Sequence, residues 1–530
     1  MTTQGQEPRN LLRLWVCVTI GVALWFCPAP AGLTPQAWRV FAVFAATIVS
    51  FLVRPLPMGV CVLIGLLVLG VSGELALVAF IRDLFTPLQD RPPSQLDLRV
   101  ALLRYKDLLE AYPLEPAERA KLSLQNALSG FADTTTWLVV AAFLLAGAMV
   151  RSGLGRRLAL TLIGRLGGTT LGLGYGIAAA ELVLGPFIPS NTARGGGVMA
   201  PIVDSLSHAM NSRADHQPRR AGEYLTLVGA HTNLIAAAMF LTGMAANPLV
   251  GKAAGDVLGV TFGWGTWLLG SIVPGLFSLA VLPWLLHRLC RPAASGGAAK
   301  QQAREELAGM GPWTAKQIAL AAVLAGMLVL WATAPLQKQW LGYALPTTLV
   351  ALGGVVLLVV LGVERWADVV GNAAAWDTLI WLGGLITMAN ALRDTGFTGW
   401  FAASAGGWVQ GWPAVATAVG LAVVYFYSMY AFSMLTGHIL AFAGAFFAVG
   451  SAAGDGAAGA PPLLLVGLVA YFSNLCGCLT NYSSGPIVIY FGLGYVPAGR
   501  WFRVGLLVSL AHLAVWLGVG LPYWKLLGWW

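Results

Sequence analysis

Again and again the chain runs for about the thickness of a membrane with almost no charge. The stretches 136 to 150, 265 to 286, 344 to 363 and 504 to 521 contain no Asp, Glu, Lys or Arg, and comparable apolar stretches lie near 11 to 30, 36 to 54, 57 to 80, 315 to 334 and 376 to 392. About 20 apolar residues in a helix span the hydrocarbon core, so the pattern dictates a polytopic membrane protein of the all-α class. Alternating segments of about ten residues, the mark of a membrane barrel, are not the dominant pattern. Only 10% of the 530 residues are charged. A soluble domain uses roughly a quarter, so this chain could not cover a water-facing surface of its own size.

The first apolar stretch follows Arg9 and Arg13 and ends at Cys27-Pro-Ala-Pro-Ala-Gly, which imitates a signal-peptide cleavage site; a retained first span is the preferred reading. The six cysteines show no CxxC pair and no His partner at metal spacing, so inert buried thiols are expected. Residues 81 to 121 differ from the rest, with Pro92-Pro93 and balanced acidic and basic residues. The helical spacing of apolar residues from Leu96 to Tyr112 predicts an amphipathic surface insertion. If the N-terminus is cytoplasmic, Arg54, the cluster Arg151, Arg156, Arg157 and Arg165, and then Arg213, Arg219, Arg220, Arg288, Arg291, Lys300 and Arg304 all fall inside. The net charge of +9 then records topology and does not call for a nucleic-acid partner.

An internal repeat organises the interior. Asp133-Thr134-Thr135-Thr136-Trp137-Leu138 returns 244 positions later as Asp377-Thr378-Leu379-Ile380-Trp381-Leu382. Thr192 and Thr436 each follow their Trp by fifty-five positions, and Gly229-Ala-His-Thr-Asn233 is answered by Gly477-Cys-Leu-Thr-Asn481. With the spans counted above, the two copies run in opposite directions through the membrane, an inverted repeat of the kind many secondary transporters use. Such folds hold ligand at the midplane, where interrupted helices expose backbone groups.

At the expected breaks stand Ser190, Asn191, Thr192, Thr232 and Asn233 in one half, and Ser433, Thr436, Thr480, Asn481, Ser483 and Ser484 in the other. Helix N-termini carry partial positive charge and free N–H donors, so several converging ends with hydroxyl and amide side chains form an anion site. The alternative is capping, for which Ser, Thr and Asn are also the preferred residues. Arg194 and His438, each two residues beyond the matching Thr, are candidates for compensating an anion's charge or replacing a coupling cation. The plainer alternative is an Arg snorkelling from the hairpin's cytoplasmic end and a His bonded to a helix carbonyl. Glu181 is expected to have a bonded partner inside the bundle.

Several segments resemble the divalent anion:sodium symporter family, in particular its dicarboxylate and citrate exchanger branch. They are Pro189-Ser-Asn-Thr-Ala-Arg-Gly-Gly-Gly197, Ala238-Met-Phe-Leu-Thr-Gly-Met-Ala-Ala-Asn-Pro-Leu249, Phe472-Ser-Asn-Leu475, Leu479-Thr-Asn-Tyr-Ser-Ser-Gly-Pro486, Tyr490-Phe-Gly-Leu-Gly-Tyr-Val496 and Trp501-Phe502. The resemblance covers both halves, from about Leu122 to Leu521. It implies a homodimer, two re-entrant hairpins and an elevator-type movement of a transport domain against a scaffold. The organisation it implies is scaffold helices in 1–80, the insertion in 81–121, a first repeat in 122–286, a cytoplasmic linker in 287–311, further scaffold helices in 312–375 and a second repeat in 376–530.

Carried over residue by residue, the resemblance implies substrate binding by Ser190, Asn191, Thr192, Thr232, Asn233, Thr436, Thr480, Asn481 and Ser484, with sodium possible at Ser190, Asn191 and Gly229. The second tip, Met434-Leu435-Thr436, keeps only the threonine of the family's Ser-Asn-Thr, which weakens a second sodium site. Asn481 stands where the exchanger pattern often has His, and Ser484 where it often has Thr. No cofactor is expected. The expected function is transport of di- or tricarboxylate anions such as malate, succinate, 2-oxoglutarate, citrate or tartrate, by obligatory exchange, with sodium-coupled carboxylate or sulfate uptake as the alternative. An enzyme is not expected: HExxH, Gly-x-Ser-x-Gly, a Walker loop and paired intramembrane aspartates are all missing. The uncharged start Met1 to Gln6 has no transit-peptide character, so a bacterial inner membrane is expected.

Overall fold

In the computed structural model, which describes residues 7–75, 115–407, 409–452 and 459–530, every regular element among the described residues is helical. Hydrocarbon forces this outcome, because a helix satisfies its backbone N–H and C=O groups within one segment where no water reaches them. Seven helices among the described residues are long and apolar enough to cross a membrane, including Thr134–Arg151, Trp264–Cys290, Ala315–Ala332 and Leu435–Ala452. Shorter apolar helices cover Pro35–Phe51, Met58–Ser72, Thr170–Leu184 and Thr347–Val360. The protein is a multi-pass, all-α membrane protein. Most of the amphipathic insertion expected in 81–121 lies outside the described residues; its last residues belong to helix Pro116–Ala127.

The chain divides into two interleaved units. One comprises Met1–Trp137, Trp376–Trp412 and Leu440–Gly459; the other comprises Leu138–Ala375, Pro413–Ile439 and Ala460–Trp530. The first unit opens with helices α1 (Glu7–Phe26), α2 (Pro35–Val53) and α3 (Met58–Ser72). Thr34 caps α2 by accepting from Ala37 N at 3.2 Å, with Pro35 preset for the first helical turn. In the same unit Thr387 Oγ1 accepts from Gly130 N at 3.0 Å and donates to Ala127 O at 3.2 Å. A Cβ on Gly130 would come within 2.0 Å of Gly383 O, so only glycine permits that approach.

The second unit contains most of the hairpin and broken-helix elements of the repeat, while its Asp133 and Asp377 marks belong to the first unit. An arm (Thr170–Leu184), a tip and a returning segment (Ala193–Met199, a wide π-type turn, then Ala200–Ala209) form the first hairpin; Ala414–Ser428 and the helix beginning at Leu435 form the second. Each hairpin is followed by a broken helix, Gly222–Met239 with Asn247–Leu258 in the first half and Pro462–Leu475 with Gly485–Gly492 in the second. In one respect the structure corrects the sequence reading. The first break falls at 240–246, not at Gly229 to Asn233, which lie inside an unbroken helix that is buried along its whole length. The second break, 476–484, does contain Gly477 to Asn481.

Membrane depth is legible in burial. In helix Pro462–Leu479, 89% of the spanning window is buried, against 33% in Ala315–Ala332. An inner helix has apolar residues all round, whereas a lipid-facing helix leaves them exposed. The linker 287–311 is not a loose tether. It carries helix Gly297–Gly309, strapped to the first-half helices by Arg156–Glu306 (2.7 Å) and by Arg157, whose guanidinium donates to the carbonyls of Met310, Gly311 and Pro312. Burial by itself pushes the Glu306 carboxyl up, but hydrogen bonds from Ser205, Arg156 and Gln302 hold it below the usual carboxylate range.

Candidate functional site

The first tip, Pro189 to Thr192, is placed by the residue that follows it. Arg194 has no exposed surface. Its Nε donates to Glu181 Oε2 at 2.7 Å, its Nη1 to the carbonyls of Ile188 (2.9 Å) and Gly243 (2.8 Å), and its Nη2 to the Asn233 carbonyl at 3.1 Å. One guanidinium therefore joins the first arm, the tip, the long first-half helix and its break. Arg194 does not snorkel to the surface; its charge is matched by Glu181, for which it is the bonded partner expected inside the bundle. Charge-assisted bonds of this kind are roughly twice as strong as neutral ones.

Asn233 belongs to the same network. Its Nδ2 donates to Glu181 Oε2 at 3.0 Å and to the Asn191 carbonyl at 3.3 Å. Thr232 Oγ1 donates to Val228 O at 2.7 Å, so its hydroxyl is engaged within its own helix. Ser190 Oγ accepts from Ala193 N at 3.2 Å and starts the returning segment.

The first tip meets the second break. A Cβ on Gly485 would lie 2.3 Å from Thr192 Oγ1, and one on Gly195 would meet both Asn233 Nδ2 and Pro486 Cβ. The second tip is tied to the same break, because Leu435 N donates to Ser483 O at 2.9 Å. Ser483 Oγ donates to Gly477 O at 2.6 Å and holds the turn. His438 is fully buried, its Nε2 2.8 Å from Ser428 Oγ and its ring 4.2 Å from that of Tyr425, so it is packed against its own hairpin's arm.

Among the buried polar atoms without a hydrogen-bond partner in the described residues, several gather at the tips and the second break. Asn191 Nδ2, Thr480 Oγ1 and Ser484 Oγ are buried and unbonded, as are Ser433 Oγ and Tyr490 OH. In a membrane interior each such group costs several kcal/mol if left empty-handed, so they mark where a polar ligand is meant to sit. Beside them stand the starts of Ala193–Met199, Leu435–Ala452 and Gly485–Gly492, the last with no side-chain cap. N–H groups at such ends favour anions. Thr192, Thr436 and Asn481 are half-buried at the tips and the break.

Gly229, the expected sodium carbonyl, has Tyr490 OH against its face: a Cβ there would lie 2.6 Å from that oxygen. Tyr490 was not singled out among the expected site residues, although its segment is part of the resemblance. Nor was His231, which lies beside Thr232, is fully buried, and has both ring nitrogens unbonded near Trp501 (ring centroids 6.2 Å apart). The only sequence signal for either is a polar atom inside an otherwise apolar helix.

Comparison with known proteins places this geometry in a family. Residues 8–530 match the model of the sodium:sulfate symporter transmembrane region. The chain is 37% identical to the Bacillus subtilis (strain 168) protein named putative malate transporter YflS, over 99% of this chain and 98% of that one. It is 32% identical to the L-tartrate/succinate antiporter of Shigella sonnei (strain Ss046), over 93% of this chain and 94% of that one. Among solved structures, Neisseria gonorrhoeae MtrF, described as illuminating a class of antimetabolite efflux pumps, shares the fold with a TM-score of 0.52 at 13% identity, covering 83% of this chain and 97% of that one.

Proposed function

The chain belongs to the sodium:sulfate symporter family, and from that premise we propose that it is a secondary transporter exchanging di- or tricarboxylate anions, such as malate, succinate or tartrate, across a bacterial inner membrane. The observation that carries this reading is the set of buried, unbonded donors Asn191 Nδ2, Thr480 Oγ1 and Ser484 Oγ beside three helix starts. Hydrogen-bond donors at N-termini suit two carboxylates held by neutral groups. The names of the malate and tartrate/succinate relatives point to the same substrate class.

Exchange rather than sodium coupling is favoured by Arg194. Glu181 Oε2 and the carbonyls of Ile188, Gly243 and Asn233 converge on its guanidinium. A hard cation such as sodium would seek an oxygen set of this kind, and here a fixed cation occupies it. His438, in the matching place, is packed against its own hairpin's arm by Ser428 and Tyr425. With no ion to neutralise the empty site, the carrier crosses poorly without an anion, and one substrate must leave as another enters. The family's homodimer and elevator movement, which would carry the hairpin-bearing unit, are part of the proposal.

Counterflow in proteoliposomes tests it. Labelled succinate is expected to enter only when the lumen holds unlabelled dicarboxylate, with no response to a sodium gradient; sodium-driven uptake into empty vesicles would establish the symport reading, which the intact Ser190-Asn191-Thr192 tip favours. Arg194→Ala is expected to abolish exchange or make it cation-dependent.

A further inference from the structure

Away from the site, the first unit carries a groove with its own chemistry. It measures about 340 Å³ and lies between α1 and α3 over the floor of α2, with Val18, Val22 and Trp25 on one wall, Ile64 and Val68 on the other and Ala46 below. Thr47 and Ser50 also line it, but their hydroxyls donate to the carbonyls of Val43 (2.8 Å) and Thr47 (2.6 Å), so the surface is apolar in effect. From Leu14 to Phe26 the groove follows α1 for about 18 Å, twelve steps of helix rise. One leaflet of hydrocarbon is about 15 Å deep. The length is that of a single acyl chain.

The two ends differ in charge. α1 and α2 run antiparallel: Arg39 lies over the Trp25 ring at 5.7 Å, and a Cβ on Gly21 would touch Ala46 Cβ. Continued along the helices, that register sets Arg13 opposite Arg54, which ends α2 in a left-handed turn just before α3 begins. Both are exposed, and neither has an ion-pair partner among the described residues. At the opposite end Arg39 is neutralised by Glu74 at 3.0 Å. The starts of α1 and α3 add their partial positive charge to the Arg13 end.

We propose that this groove is a lipid site: one acyl chain of an anionic phospholipid lies along Val18, Val22, Ile64 and Val68, and its phosphate is held by Arg13 and Arg54. Guanidinium groups recognise phosphate by paired hydrogen bonds, and two unpaired cations favour a headgroup of net negative charge over one whose choline cancels the phosphate.

Native mass spectrometry of the protein in mild detergent, with phosphatidylglycerol or phosphatidylcholine added, reads it out. The wild type is expected to keep one phosphatidylglycerol per chain after looser lipids are stripped. R13Q/R54Q should lower the preference for phosphatidylglycerol roughly thirtyfold, since each basic residue near a lipid surface contributes about a factor of five. I64W, which fills the trench from its rim, should lose both lipids while its melting temperature and counterflow stay near wild type; V18W is the same test from the other wall. Equal retention of the two lipids by the wild type, or wild-type retention by both filled variants, overturns the proposal. A change from dimer to monomer in I64W by light scattering, with lipid retention unaltered, overturns it in favour of a second copy of the chain as the occupant.

Discussion

Gly229 to Asn233 and Gly477 to Asn481 match in sequence, yet the first run stays helical and the second forms a break. The difference lies in where their polar groups go. Thr232 bonds back to its own helix, and Asn233 Nδ2 is held by Glu181 and the first tip, so these two donors are spent on the protein itself, while the His231 ring stays unbonded. Thr480 and Ser484 flank a turn held by Ser483, and their hydroxyls are left unbonded. The Thr and Asn donors of the first run act as an internal buttress, whereas the second break leaves the Thr480 and Ser484 hydroxyls open.

The comparison breaks most severely at Glu181. E181Q leaves the Arg194 charge buried without its counter-ion, a loss of about 3–5 kcal/mol in systems of this kind. A large fall in melting temperature is expected in detergent, with partial recovery in E181Q/R194Q; an unaltered melt for E181Q would remove the buttress from the account. Next come Thr480→Val and Ser484→Ala. Each should weaken apparent succinate affinity by about 1–2 kcal/mol, a five- to thirtyfold rise in half-saturation during counterflow, because each removes a bond to ligand alone. Their melting temperatures without substrate should match wild type, and a marked destabilisation would mean that these hydroxyls have internal partners.

Thr232→Val is the control from the buttress. Its hydroxyl serves Val228 O, so exchange should stay within about twofold and only a small stability loss of up to ~1 kcal/mol should appear; a transport defect as large as that of Thr480→Val would erase the distinction between the halves. The smallest effect is at Glu306 on the linker strap. Its carboxyl is held below the ordinary value, so it stabilises the fold above the unfolded-state value and ceases to do so as pH falls through the folded one. E306Q should flatten this mild acid-side decline in melting temperature, an effect under about 1 kcal/mol because the Arg156 partner is exposed and screened by water. An identical acid-side slope in the variant would show that the strap does not titrate.

The spans were legible because lipid imposes length and polarity together: the expected 265 to 286 and 315 to 334 became Trp264–Cys290 and Ala315–Ala332. The two hairpins were implied by the family resemblance, and the repeat matched their tips at Thr192 and Thr436. The first break was not legible, since a polar run looks the same whether it interrupts a helix or is satisfied across fifty residues, as Asn233 is by Glu181. Nor could spacing tell that Arg194 faces inward to four oxygens. Tyr490 went unnoticed for the converse reason: an aromatic in an apolar segment reads as packing until its hydroxyl is found against Gly229 without a bond.

The closeness of Thr192 to Gly485 has a mechanical consequence. A joint that cannot admit even a methyl group has no clearance, and parts without clearance cannot serve as a gate against each other. A movement that kept this joint whole would carry both inner walls together, as a lock chamber moves its cargo, and one that opened it would have to part Thr192 from Gly485. Gly485→Ala, by wedging that joint, therefore probes the stiffness of the chamber rather than its chemistry.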